Sequence, residues 1–552
     1  MEINRRNFFE HAGLGLAAFG LGAFSPAYAF TKDNINKPYN AEGQQLFIGK
    51  DIAIVQTMYG KVKGFVLRNI FTFRGIPYGD DTSGENRFMP PKEPKPWEDV
   101  RPAVFYGNSA PQDIYDRSPE SYSAFVDHWN YDELGEDCLR LNVWTPSLER
   151  KKRPVLVWLH GGGFARGNGI EQDGYNGENI SRAGDIVFCS INHRLGPFGF
   201  SDFSGVDQKK FGNSGNVGML DIVAALKWIN ENIENFGGDP DNVTVMGQSG
   251  GGAKVCNIAA MPAAKGLVHK GIALSGSAVE GGNQEYTRKL GEYILEEAGL
   301  GKHEVHKLQE IPWNEYYDLA YRASEKIKEK GLNMNRGGFG PIADGINIPK
   351  GNYFKTGKNE QPDIPLIFCT TFHEWNPNRD NPGLENISLI EVAEKIADRY
   401  GEKSIDIVNA YANLFPEATP MEIWALVVSN RQTVVHAANQ KLKQQSSVYM
   451  AWFGWESPLF DHRHRAFHCI DISFWLLNTD KMITHTGGGQ RPLQLSMRMA
   501  QSLINFMYKG SPNCENLPAW AEYTSEQGET MVLNDKCELK NDPDRAARAH
   551  LG

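Results

Sequence analysis

From Ile52 to Tyr78 apolar and polar positions alternate in short β-rich runs interrupted by Gly60, Gly64 and Gly75. A period of two with glycine punctuation predicts short antiparallel strands joined by tight turns, here an edge meander. From Leu139 the pattern changes. Leu141–Trp144, Val155–Leu159, Ile186–Ile191 and Val243–Met246 are short runs rich in β-branched and aromatic residues, as strands buried on both faces require. Between the last two, Leu220 to Phe236 places Ile222, Leu226, Ile229 and Ile233 on one side of an amphipathic helix. Strand, helix, strand is the unit of a parallel sheet, so the fold class is α/β. Residues 285–335 and 386–445 are charged and helix-prone, and read as helical insertions or caps over that sheet. No repeat or linker divides residues 30–552, which are expected to form a single domain.

Composition narrows the function more than the fold. With 552 residues, 41% hydrophobic, 57 Gly and 29 Pro, the chain can bury a large core and build many turns, which excludes disorder as a global description. The net charge is -10 and no Lys/Arg block interrupts it. That argues against nucleic acid and for a small-molecule substrate.

The N-terminus reads as a targeting segment. Arg5-Arg6-Asn7-Phe8-Phe9 precedes a weakly apolar Ala12–Phe24 run and the small-x-small triplet Ala27-Tyr28-Ala29. These three parts are expected of a twin-Arg (Tat) export signal, residues 1–29, cleaved after Ala29 to give a periplasmic or secreted protein. No later stretch is long and apolar enough to span a bilayer. The seven cysteines (138, 189, 256, 369, 469, 514 and 537) are too few for a disulfide scaffold, and a Cys514–Cys537 pair is left open.

Two motifs carry chemistry. Val243–Met246 runs into Gly247-Gln248-Ser249-Gly250-Gly251-Gly252 and then a helix-compatible stretch, Ala253 to Ala259. This is G-x-S-x-G in the strand–turn–helix context of a nucleophile elbow, with Ser249 as nucleophile. Upstream, the Val155–Leu159 strand ends in His160-Gly161-Gly162-Gly163-Phe164. Unobstructed N–H groups of Gly162 and Gly163, joined by Gly250, are expected to receive the oxygen of a tetrahedral intermediate. Losing one such donor typically raises the barrier by about 2.7–4 kcal/mol. A phosphate loop would carry Lys-Ser/Thr, which is lacking here.

With these motifs placed, the chain resembles the type-B carboxylesterase and cholinesterase family over nearly all of its mature length. The resemblance rests also on Phe73–Tyr78, Glu136–Trp144, Asn192–Gly199, Asn216–Asp221, Asn235–Pro240 and Leu274–Ser277. It implies an α/β-hydrolase fold, carboxylic ester hydrolysis without a cofactor, and triad residues in the order Ser, acid, His. Pro365–Trp375 fits the family's acid-bearing strand and makes Glu374 the acid, with Asp344 and Asp380 as weaker rivals. Ala466–Phe474 matches the family's histidine block and selects His468 over His462 and His464.

Departures from the family are equally specific. Gln248 stands where the family commonly has Glu, and Arg463 and Arg465 precede the histidine. Together they raise the expectation of a preference for anionic substrates, against the alternative of a solvated loop with an incidental Gln. The family's disulfide partner of Cys138 is Ala110 here, so that bridge is expected to be absent. Phe164, Gln248 and Trp475 are candidate substrate contacts, with core packing an equal reading for Trp475 and Phe474. The close histidines 462, 464 and 468 lack the remaining ligands of a zinc site, so no metal is expected. A catalytically inactive binding or adhesion protein on the same fold, or a peptidase or amidase, are the competing functions.

Overall fold

The computed structural model of the chain describes residues 43–113, 130, 133–329, 338–355 and 360–552. The segment read as an export signal lies outside the described residues. The chain separates into a short unit, Met1–Phe47, and a body, Ile48–Gly552. The short unit contains β1 (Leu46–Phe47).

The strands of the body are β2 (Ile54–Gln56), β3 (Lys61–Lys63), β4 (Phe65–Leu67), β5 (Ile70–Pro77), β6 (Arg101–Pro102), β7 (Arg140–Thr145), β8 (Arg153–Leu159), β9 (Val187–Ile191), β10 (Gly238–Gln248), β11 (Lys270–Leu274), β12 (Leu366–Thr371), β13 (Val448–Phe453), β14 (Glu529–Leu533) and β15 (Glu538–Asn541). Its main sheet has the order β4-β5-β7-β9-β8-β10-β11-β12-β13-β14-β15. Every pair from β9 to β14 is parallel. The pairs from β4 to β9, and β14 with β15, are antiparallel. This is the α/β-hydrolase fold, with helices packed on the sheet.

Alternation along the central strands feeds two cores on opposite faces. Val155, Val157 and Leu159 of β8 enter one apolar cluster, Leu156 and Trp158 the other. In β12, Leu366 and Phe368 likewise separate from Ile367 and Cys369. Burial on both faces is why these strands read as near-continuous apolar runs. The predicted helix forms as Val217–Asn232 with a 3-10 extension Ile233–Phe236, and its Ile222, Leu226, Ile229 and Ile233 are all buried.

The insertions are helical as expected. Gln284–Glu297, Val305–Leu308 and Trp313–Glu329 form the first group. Leu389–Tyr400, Ser404–Leu414, Pro420–Val427 and Arg431–Lys441 form the second. The first three helices of the second group build their own apolar cluster around Trp452.

The meander differs from the expected single unit. β3 pairs with β2 on one side and β6 on the other in a separate three-stranded sheet, whereas β4 and β5 join the main one. Gly64 stands at the crossing, where a Cβ would lie 2.1 Å from the Thr72 carbonyl oxygen. The close passage of two backbones there lets the chain leave one sheet for the other.

All seven cysteines are thiols, Cys514 and Cys537 included. Cys138 and Ala110 are both buried in the same apolar cluster, so packing occupies the place of a bridge. Among the described residues no helix is long and apolar enough to cross a membrane.

Candidate active site

The chain runs from β8 outward to β9 and returns past β8 to β10. That reversal opens a crevice at the carboxyl ends of β8 and β10, where open α/β sheets place their ligands. The glycine triplet follows β8 and Ser249 follows β10.

Ser249 has φ 58° and ψ −122° between β10 and the helix Gly250–Ala260. A side chain there is strained, and the surroundings must impose it. Ser249 N–H donates to the Leu274 carbonyl at 2.8 Å, and the helix is buried at every residue. Gly251 allows the approach, because a Cβ there would stand 2.0 Å from the Leu159 carbonyl oxygen. The hydroxyl is not spent on capping the helix. It is half-buried at the positive end of the helix, which favours developing negative charge.

Gly162 and Gly163 both have positive φ, 75° and 66°. The Gly162 carbonyl accepts from Ala165 and Arg166 N–H at 3.3 and 3.2 Å, which turns the loop back on itself. The loop packs backbone to backbone on the elbow: a Cβ on Gly250 would lie 2.2 Å from the Gly163 carbonyl oxygen. As first residue of its helix, Gly250 has no intrahelical acceptor for its N–H. Phe164 is half-buried, edge-on to Phe200 with ring centroids 5.6 Å apart.

Glu374 and His468 come from the far side of β11. Glu374, 2% exposed, accepts from Thr371 N–H through Oε1 at 2.8 Å and meets His468 Nδ1 through Oε2 at 2.5 Å. The two loops are zipped together, with His373 and Phe467 forming a β-bridge. His468 N–H also donates to the Glu374 carbonyl at 3.3 Å. The rivals stand elsewhere. Asp344 spends its carboxylate on Asn216 and the N–H groups of Ile346, Asn347 and Ile348; Asp380 is exposed. With Nδ1–H donated to Glu374, Nε2 is the acceptor nitrogen of the His468 ring. Asp471, three residues on, is fully buried; burial first, then the Glu374 charge, push its carboxyl up to about 7.

Gln248 is 0% exposed. Its Nε2 lies 3.3 Å from Nδ1 and 3.2 Å from Nε2 of His468, and its Oε1 accepts from the Cys469 thiol at 3.2 Å. Gln248, next to Ser249, is therefore buried against the His468 ring. Gln248→Glu places a carboxylate against the ring, which favours the imidazolium. The acid limb of kcat/KM is expected to move to higher pH by about one unit, measured from pH–rate profiles of both proteins; an unmoved limb counts against this contact.

Trp475 is 0% exposed in the core with Phe474, so packing is its role here. The aromatic against His468 is Trp375, which sequence reading did not single out. It is 48% exposed and stacks on His468 at 4.4 Å and 28°. Its Nε1–H donates to Asn430 Oδ1 at 3.3 Å. Its position directly after Glu374 was the available signal.

The basic run before His468 does not project to solvent. Arg465 is held by Glu422 at 2.5 Å and by Glu385, and Arg463 is buried. The neighbouring histidines diverge: His462 is exposed, and His464 packs against Phe460 and Phe467.

A model of the carboxylesterase family matches residues 51–549. The para-nitrobenzyl esterase of Bacillus subtilis is 33% identical over 90% of this chain and 98% of its own length. The phenmedipham hydrolase of Pseudarthrobacter oxydans is 29% identical over 88% and 95%. Among solved structures, an esterase from Clostridium hathewayi described as hydrolysing aliphatic aromatic polyesters superposes with a TM-score of 0.76, at 32% identity over 92% of this chain and 99% of that one. A Geobacillus stearothermophilus carboxylesterase gives 0.72 at 29% identity, over 91% and 100%. With an elbow serine, a glycine loop against it and a Glu–His pair at the same crevice, this chain belongs to the carboxylesterase family and is a carboxylic ester hydrolase.

Proposed function

We propose that the chain is an exported serine carboxylesterase that hydrolyses small-molecule esters through Ser249, His468 and Glu374. The observation that carries this reading is the Glu374–His468 hydrogen bond, formed beside the residue that precedes Ser249. His468 takes the Ser249 proton as general base while Oγ attacks the ester carbonyl, and Glu374 holds the tautomer and stabilises the imidazolium. The N–H groups of Gly162, Gly163 and Gly250 receive the oxyanion. The imidazolium returns its proton to the leaving alcohol, giving an acyl-enzyme. Water activated by His468 then releases the acid. Phe164 and Trp375 border the reacting centre, and the named relatives support aryl and benzyl esters as first substrates to try.

Incubation with a fluorophosphonate, followed by peptide mapping, tests the reading. One adduct per chain on Ser249, with loss of p-nitrobenzyl acetate hydrolysis, is expected. A folded protein that is active but unlabelled at Ser249 refutes it, and an inactive, unlabelled one supports the binding-protein alternative. Export is tested in cells: the mature chain should begin at Phe30 outside the cytoplasm, and Arg5→Lys/Arg6→Lys should retain the precursor. An unprocessed wild-type chain overturns that part.

A further inference from the structure

The helix behind the nucleophile is buried throughout, yet it carries a lysine. Lys254 is 0% exposed. Its Nζ donates to the His160 carbonyl at 2.9 Å and lies 5.7 Å from the centre of the Phe164 ring. His160 and Phe164 bracket the glycine triplet, so an ammonium on the nucleophile's own helix grips both ends of the oxyanion loop. Desolvating an ammonium is costly where an apolar side chain would pack at no such penalty. The position therefore has a task beyond packing.

Peptide geometry indicates that task. His160 Nδ1 lies 3.0 Å from the Gly161 carbonyl oxygen. Burial holds this ring far below the usual histidine range and therefore neutral, with Nδ1–H as donor. In a trans peptide the N–H points opposite to the C=O. Holding the Gly161 carbonyl therefore aims the Gly162 N–H the other way. Lys254 fixes the preceding peptide plane, and with it the His160 ring that makes this bond.

We propose that Lys254 is a positioning residue of the ester-hydrolysing site: its ammonium straps the nucleophile helix to the glycine loop, setting the Gly162 and Gly163 N–H groups against Ser249 and adding positive charge beneath the oxyanion. The inference rests on the Ser249 reading above.

The groups around Lys254 set its charge. Glu171 favours the ammonium, while burial lowers the lysine pKa to about 7. His160 and His193, stacked at 5.0 Å and 19°, are both kept neutral by burial. Behind them Arg194 and Asp221 neutralise one another at 2.6 Å. Tyr175, 3.4 Å from Glu171, stays protonated because burial raises it. As pH rises, Lys254 loses its charge and the strap weakens. On this proposal kcat therefore falls on the alkaline side.

The test compares wild type, Lys254→Met and Lys254→Gln with p-nitrobenzyl acetate from pH 5.5 to 9.5, each checked for fold by circular dichroism and for fluorophosphonate labelling. Methionine is expected to lower kcat by about 100-fold and glutamine, a neutral donor, by about 10-fold, with KM within about twofold. The alkaline fall expected of wild type should vanish from both. A purely structural role would change stability but leave the shape of the profile. A folded Lys254→Met with wild-type kcat, or an alkaline fall that persists in the folded variants, overturns the proposal. Failure of the underlying reading is separate, since wild type itself would then carry no label on Ser249.

Discussion

Ser249→Ala is expected to lower kcat/KM by about 10⁶-fold while the protein stays folded. Triad members act as a unit, and removing the nucleophile leaves the about 10³–10⁴-fold acceleration over water that oxyanion donors and binding supply alone. The structure separates this loss from a folding defect. Ser249 Oγ caps no backbone group, so truncation costs the helix no cap. The strained backbone at φ 58° is imposed by Leu274 and the flanking glycines, and alanine inherits it unchanged. Melting temperature should move by no more than a few degrees, and fluorophosphonate labelling should disappear. Activity within 100-fold of wild type, after excluding contamination by titration, assigns the nucleophile elsewhere.

Glu374→Gln is the second large effect, about 10⁴-fold in kcat. The acid accepts from the Thr371 N–H through Oε1 and from His468 through Oε2. In the amide, the oxygen must stay with Thr371, because that partner can only donate. The NH2 group then faces Nδ1 of His468, which can meet it only as an acceptor. The ring is forced into the tautomer with its proton on Nε2 and cannot take one from Ser249. KM should change little, since no substrate contact is touched, and the fold should be retained. Steady-state kinetics at saturating ester decide it; a kcat within 10-fold of wild type rules out Glu374 as the orienting acid.

What could be read along the chain was whatever local backbone demands impose on residue type. An elbow needs glycines beside its serine and an oxyanion loop needs bare N–H groups, so Ser249 and Gly161–Gly163 announce themselves. Strands β8, β9 and β10 were visible because burial on both faces leaves a run of apolar residues. β11, Lys-Gly-Ile-Ala-Leu, opens on residues that disfavour a strand and is fixed by its neighbours on both sides. Side-chain direction was less legible. Gln248 and Trp475 pass for pocket residues in sequence, yet both are fully buried. Lys254 passes for an ordinary solvent-facing helix position, because nothing local says that the helix Gly250–Ala260 is covered on all sides. The resemblance supplied Glu374 and His468, since no spacing rule joins residues that meet only after β12 and β13 are laid side by side.

The position of β11 has a mechanical meaning. The glycine loop and Ser249 hang from β8 and β10, Glu374 and His468 from β12 and beyond β13, and the seam between these halves is a five-residue strand that carries none of them. It is stitched by Ser249 N–H to Leu274, Ser275 N–H to Cys369 at 2.7 Å, and Asn430 to the Ser275 carbonyl at 3.0 Å. Sliding one half by a single residue, about 3.3 Å, shifts Ser249 relative to His468 while each half-site remains intact. With Ser249 and His468 acting together as proposed, turnover would report the alignment of the sheet's centre. A sheared but folded chain would keep its secondary structure, and even its Glu374–His468 bond, with the chemistry switched off.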